Sequence, residues 1–229
     1  MENAHYFLHV TDTHLCFDAE APDTCCTEQA LRSLYQTAFA WDHRPAFVLI
    51  TGDLVHEGTS ADYARAKTLL QELDEQYHTK TYPALGNHDN RENFNSAFRE
   101  QASDQPVDYC VQNEWLRWIV LDSSCGQVIG QLSGSQLAWL EQELCDPTDC
   151  PTILALHHPV YGTTTAETDA NNLATPERLI RLLQDHPVDG ILCGHSHEAT
   201  LVTEQGLPPQ FVGAGAASAA IPLIQGRVQ

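Results

Sequence analysis

Basic residues are scarce: 11 Lys and Arg stand against 31 Asp and Glu, a formal charge of −20. That balance repels the phosphate backbone of long nucleic acids and the face of anionic membranes, so neither is expected as a partner. A small anionic substrate is admissible on one condition, that bound metal reverses the charge locally. No apolar run approaches the length of a membrane span. The opening MENAHYFLHVTD has no basic stretch leading into an apolar core and a small-residue cleavage site, so the chain reads as cytoplasmic. None of the eight cysteines (Cys16, Cys25, Cys26, Cys110, Cys125, Cys145, Cys150, Cys193) forms a CxxC pair. Reduced thiols are therefore expected, rather than a disulfide framework or a thiolate metal cluster. Like-charge runs, low-complexity tracts, internal repeats and linkers are also missing. With 229 residues, 42% of them apolar, the expectation is a single domain over 1–229. Such a chain buries roughly 70–75% of its unfolded surface.

Short apolar runs alternate with amphipathic segments, the mark of an α/β domain. YFLHV (6–10), AFVLI (46–50), TKTYPAL (79–85), TILAL (152–156) and DGILC (189–193) read as strands. Segments 28–41, 60–77, 133–144 and 175–186 carry apolar residues at helical spacing, the last opened by Thr175 as N-cap and Pro176 in the first turn. VDYCVQ and EWLRWIVLDS read as an antiparallel hairpin turning at Asn113, and ATLVTEQGLPPQFVGAGAAS as another, so the sheet structure is expected to be mixed.

Residues with metal-ligand chemistry collect just past the ends of these strands. TDTH after the first supplies Asp12 and His14, and TGD after the second supplies Asp53. GNHD ends the third with Asn87 and His88, HH ends a later one with His157 and His158, and GHSH comes after the last with His195 and His197. Singly, each is an ordinary turn or cap residue. Together they fall where open α/β sheets bind ligands, at the carboxyl ends of strands. Oxygen and imidazole donors without thiolates suit manganese, iron, zinc or cobalt. A pair of ions needs a bridging carboxylate between two separate ligand sets, and Asp53 fits the bridge.

Asp12-Thr13-His14, Gly52-Asp53, Gly86-Asn87-His88-Asp89, His157 and Gly194-His195-Ser196-His197, in that order, resemble the five signature blocks of the calcineurin-like metallophosphoesterases. Arg91, the segment GQLSGSQLAWL (130–140) and the His157-His158 pair resemble the bacterial branch of class III cyclic-nucleotide phosphodiesterases and glycerophosphodiesterases. The resemblance implies an αββα sandwich of two mixed β-sheets flanked by helices. It implies that Asp12, His14 and His197 hold one ion, that Asn87, His157 and His195 hold the other, and that Asp53 bridges. The activity it implies is hydrolysis of a small phosphoester by a hydroxide held between the ions, with no Ser or Cys nucleophile.

Gly86 is then expected to let the chain turn tightly, and His88 to serve the leaving group as acid or hydrogen-bond donor. Asp89 is placed either to orient His88 or to cap a helix, and Arg91 to reach the phosphate or pair with the acidic surface. His56 and His158 are candidates beside the site. Tyr161, Asp169, Asn171 and Asn172 in the loop after His158 are candidate substrate contacts. Cyclic-nucleotide relatives carry an Asn at the start of the helix where this chain has Thr175. Few basic residues near the motifs favour a diester over a monoester. The rivals are a phosphomonoesterase or pyrophosphate-bond hydrolase, and a metal-binding scaffold without catalysis.

Overall fold

The computed structural model describes residues 5–17, 27–162 and 171–216. A first sheet holds β1 (Leu8–Val10), β2 (Val48–Thr51) and β3 (Thr81–Ala84) in that order, parallel throughout. The second sheet has the order β4-β5-β6-β7-β9-β8. It is built from β4 (Tyr109–Gln112), β5 (Arg117–Val120), β6 (Thr152–Ala155), β7 (Gly190–Cys193), β8 (Thr200–Val202) and β9 (Gln210–Val212). Both expected hairpins are present, β4 antiparallel to β5 and β8 antiparallel to β9. Mixed pairing is thus confined to the second sheet. Asn113 makes the first turn, its side-chain oxygen accepting from the N–H groups of Trp115 and Leu116.

The strands read as continuous apolar runs because both of their faces are covered. Val48 and Ile50 point to one side, with α1 (Thr27–Phe39), α2 (Ser60–Tyr77) and α3 (Arg91–Arg99). Phe47 and Leu49 point to the other, where they meet Trp118, Val120, Ile153, Ala155 and Leu192 of the second sheet. Ile119, Leu154 and Ile191 alternate outward again, under α4 (Gly134–Cys145) and α5 (Pro176–Asp185). Three apolar clusters therefore glue four layers, helices, sheet, sheet and helices, as the αββα expectation required.

Helix ends are set by local chemistry. Thr59 with Asp62, and Ser133 with Gln136, form reciprocal capping boxes on α2 and α4. Pro176 opens α5 as expected, but Thr175 donates no cap: its backbone sits at φ −136°, ψ 66°, and its side chain makes no capping bond. α3 is not among the segments expected to be helical, and its N-cap is Asn90, which accepts from the N–H of Asn93, rather than Asp89. Among the described residues no helix is long and apolar enough to cross a membrane. Cys110, Cys125, Cys145, Cys150 and Cys193 are free thiols, and Cys25 and Cys26 lie outside the described residues.

Candidate dinuclear metal centre

Parallel pairing sets the carboxyl ends of β1, β2 and β3 on one edge of the first sheet, and those of β6 and β7 on one edge of the second. The five motifs leave from these edges and meet at the seam. Asp53 Oδ2 lies 3.5 Å from His14 Nε2 and 3.5 Å from His157 Nε2. On one side of it, His14 Nε2 is 3.2 Å from His197 Nε2, which is 3.1 Å from Asp12 Oδ1. On the other, His157 Nε2 is 3.1 Å from Asn87 Oδ1 and 3.3 Å from His195 Nδ1. The structure thus gathers all seven expected ligands into two groups that share one carboxylate.

Each imidazole is aimed by its second nitrogen or its neighbours. His157 Nδ1–H donates to the Thr51 carbonyl at 2.9 Å, which turns Nε2 toward the centre. His195 is held through the Asn171 backbone. Burial, first of all, pulls His14 and His195 down to about 4, so both are neutral with lone pairs to offer. Burial works against the charged form of Asp12, yet the His197 hydrogen bond and the adjacent imidazoles hold it well below the usual carboxylate range. The Thr11 hydroxyl donates to Asp12 Oδ2 at 2.7 Å, and the His88 N–H donates to Asp53 Oδ1 at 2.9 Å.

The donor set fits metal ions. Asn87 Oδ1 and Asp53 Oδ2 lie 3.1 Å and 3.5 Å from His157 Nε2, and against the pull of burial the charges of Asp53 and Asp12 raise that imidazole above its usual range, so the pocket favours positive charge at the point where these three donors converge. Two buried carboxylates set among imidazole nitrogens also match the oxygen and imidazole preference of divalent first-row metals.

Backbone strain marks the same residues. Asp12, His14, Asp53, His195 and His197 adopt φ of 51°, 39°, 49°, 72° and 57°. The other two described non-glycine residues with positive φ, His78 and Glu100, are the C-caps of α2 and α3. Left-handed backbone costs about 1–3 kcal/mol per residue and persists where the surroundings over-determine it, as at functional sites. The expected tight turn starts at Gly86, whose carbonyl accepts from the Asp89 N–H at 3.2 Å; its φ is not positive, and closeness is what excludes a side chain, since a Cβ there would lie 2.2 Å from Asp53 Oδ1. At Gly194 a Cβ would meet the Thr11 hydroxyl at 1.8 Å.

Several neighbours take roles other than those expected. Asp89 does not touch the His88 ring. It is buried and accepts from the N–H groups of Gly86 (2.9 Å) and Leu54 (3.1 Å) and from the Tyr63 hydroxyl (2.9 Å), tying together the loops that carry Asp53 and Asn87. Burial, then the charge of Asp53, push it up to about 7. Asp89→Ala leaves these donors unpaired and is expected to destabilise the protein by about 3 kcal/mol in denaturant titration. A loss below ~1 kcal/mol would remove this bracing role.

His88 is aimed instead by the backbone of His56, whose carbonyl accepts from Nδ1–H at 2.9 Å. The two rings stack with centroids 5.2 Å apart. Arg91 Nε donates to buried Asp122 at 2.7 Å, and its guanidinium also bonds the Ser124 carbonyl. It does not line the central cavity, so the expected phosphate contact is replaced by an internal ion pair. His158 is likewise occupied: Nδ1 accepts from the Ser123 hydroxyl at 2.8 Å, and Nε2–H donates to the Val128 carbonyl at 3.0 Å. Burial pulls it down to about 2, and these two bonds make the ring a brace between Ser123 and the loop at Val128. Asn171 lines the cavity, whereas Tyr161 and Asn172 are buried behind it; Asp169 lies outside the described residues. Val128 and Ser196 also line it, and neither is among the residues expected there. Their only sequence signal is closeness to a motif.

The cavity holds about 320 Å³, with Asp53 and His14 at its buried floor and exposed His88 and His197 at its mouth.

Residues 5–199 match the family model described as calcineurin-like phosphoesterase. The chain is 36% identical over 206 residues to a probable cyclic nucleotide phosphodiesterase of Rhodococcus erythropolis, covering 89% of this chain and 68% of that protein. It is 33% identical over 168 residues to the glycerophosphodiester phosphodiesterase GpdQ of Enterobacter lignolyticus, covering 69% and 58%. The chain therefore spans about two thirds or less of the length of these relatives. A dimetal phosphatase from Danio rerio superposes with a TM-score of 0.74 at 17% identity, covering 94% of this chain and 89% of that one. That likeness carries the fold, while the family match extends from the first motif to the last. On the family match the chain belongs to the calcineurin-like phosphoesterase family.

Proposed function

We propose that this protein hydrolyses a small phosphodiester at a centre of two metal ions. The single observation that carries the reading is Asp53 Oδ2, placed 3.5 Å from one nitrogen of each ligand group. Asp12, His14 and His197 would hold one ion, and Asn87, His157 and His195 the other, with Asp53 common to both. When bound, such ions lower the pKa of water and offset the charge of a phosphate, which also answers the chain's formal charge of −20.

The protein's own groups do the rest. His88 lines the mouth with Nδ1–H fixed on the His56 carbonyl, so the proton or hydrogen bond for the departing oxygen would come from Nε2–H of the imidazolium form, which returns to the neutral Nδ1–H ring as the proton leaves. Asn87 offers its amide next to it. The diester preference rests on what the lining lacks. Among the described residues around the cavity there is no Lys or Arg, and Arg91 is spent on Asp122. The second charge of a monoester would meet no fixed cation, whereas the flanking groups of a diester find Val128 and Asn171 at the wall. Relatives named for cyclic nucleotides and for glycerophosphodiesters support the same class. We place the manganese, iron, zinc or cobalt family of ions at the centre on ligand type.

The test compares the manganese-loaded protein on an aryl phosphodiester and the matching monoester, with a chelated control. A kcat/KM for the diester about tenfold or more above the monoester, abolished by chelation, is expected; tenfold is about 1.4 kcal/mol of transition-state discrimination. The reverse preference would make it a phosphatase, and bound metal without turnover would make it a scaffold.

A further inference from the structure

The sequence contains only two lysines, Lys67 and Lys80, and both line one cavity of about 400 Å³ that shares no residue with the metal centre. Arg99, in the last turn of α3, lines it as well. Three of 11 basic residues thus converge on a single hollow of a chain with formal charge −20. Among the described residues of the lining the one acid is Asp74, which is engaged by the N–H and hydroxyl of Thr81. Lys67 is steadied by the Ala97 carbonyl at 2.7 Å, while Lys80, its side chain 67% exposed, stands 3.8 Å from Asp74 Oδ2, a long surface ion pair that holds the ammonium weakly and leaves it open to a second anion.

The wall beside these cations is aromatic. Phe94 and Phe98, one helical turn apart on α3, stack with centroids 4.5 Å apart and planes within 8°. Tyr82 and Tyr109 close the opposite strands, the Tyr109 hydroxyl donating to the Pro83 carbonyl at 2.9 Å. A flat apolar wall next to clustered cations selects a ligand with a flat ring and a negative group. Neither alone uses both features.

We propose that this cavity binds a planar aromatic anion, its ring against the Phe94–Phe98 wall and its charge on Lys80 and Arg99. The probe is anilinonaphthalene sulfonate, which carries no phosphoester for the metal centre to act on. Phenylnaphthylamine, with the same ring types and no charge, is the control. Fluorescence titration of the metal-loaded full chain is expected to show one sulfonate site per chain, weakened by salt. Lys80→Glu with Arg99→Glu, both at exposed positions, should weaken sulfonate binding about tenfold or more. Phe98→Ala should weaken it independently. Turnover of the aryl diester should be unchanged in the charge-reversal variant, which shows that the fold is intact. Equal sulfonate affinity in the native and charge-reversed proteins would overturn the proposal. So would neutral amine binding as tight as the sulfonate, which would make the cavity merely apolar.

Discussion

Replacing His88 by alanine is expected to lower turnover of an aryl phosphodiester by about a hundredfold to ten-thousandfold, the scale of general acid–base catalysis, while both metal ions stay bound. The contribution of His88 to the centre itself is through its backbone N–H on Asp53 Oδ1, 2.9 Å away, and alanine retains that group. The ring is exposed, lines the cavity and meets His14 edge-on with centroids 4.7 Å apart. What the variant removes is a donor to the leaving oxygen, needed more in the transition state than in the bound substrate. The loss should therefore appear in kcat, with KM little changed. Steady-state kinetics with metal analysis of the same sample decides it. Unchanged kcat would take His88 out of the chemistry, and lost metal would make it a structural support.

Asp53→Asn should act on the other half of the machinery. The amide is nearly isosteric, and its oxygen can still accept from the His88 N–H. But an NH₂ group in place of Oδ2 would face His14 Nε2 and His157 Nε2, each now 3.5 Å from a carboxylate oxygen. One charge and the shared donor go together. Metal content is expected to drop to one ion per chain or fewer, and turnover by about a thousandfold, comparable to losing one preorganised charge-stabilising group. Asp53 is only 2% exposed, so thermal unfolding should accompany the assay to show that the chain still folds. Two ions retained at native affinity would mean that Asp53 bridges nothing.

The strands and their order of motifs are legible in the sequence because parallel strands covered on both faces must be apolar throughout and must end in polar loops on one edge. TILAL and DGILC announce themselves in this way, and the ligands come directly after them. α3 is harder to read, although Phe94, Ala97 and Phe98 stand at helical spacing behind Asn90, because the segment is short and begins inside a motif whose residues invite a chemical reading. The errors in role have one physical source. Arg91 finds Asp122 after β5, Asp89 finds Tyr63 on α2, and His158 finds Ser123 and Val128. Each partner lies at least 26 residues away, so no local pattern could name it. The left-handed backbone of Asp12, His14, Asp53, His195 and His197 is equally silent in sequence, since any residue there can be written as an ordinary turn. Only the folded seam forces those angles.

The central claim is that one carboxylate joins two ions, and electron paramagnetic resonance of the manganese-loaded protein tests it most directly. Titration with manganese should end at two ions per chain and give the split spectrum of an exchange-coupled pair. The same titration of Asp53→Asn should leave only an isolated ion. A native protein that saturates at one manganese, or binds two whose spectra are simply those of separate ions, would contradict the shared centre.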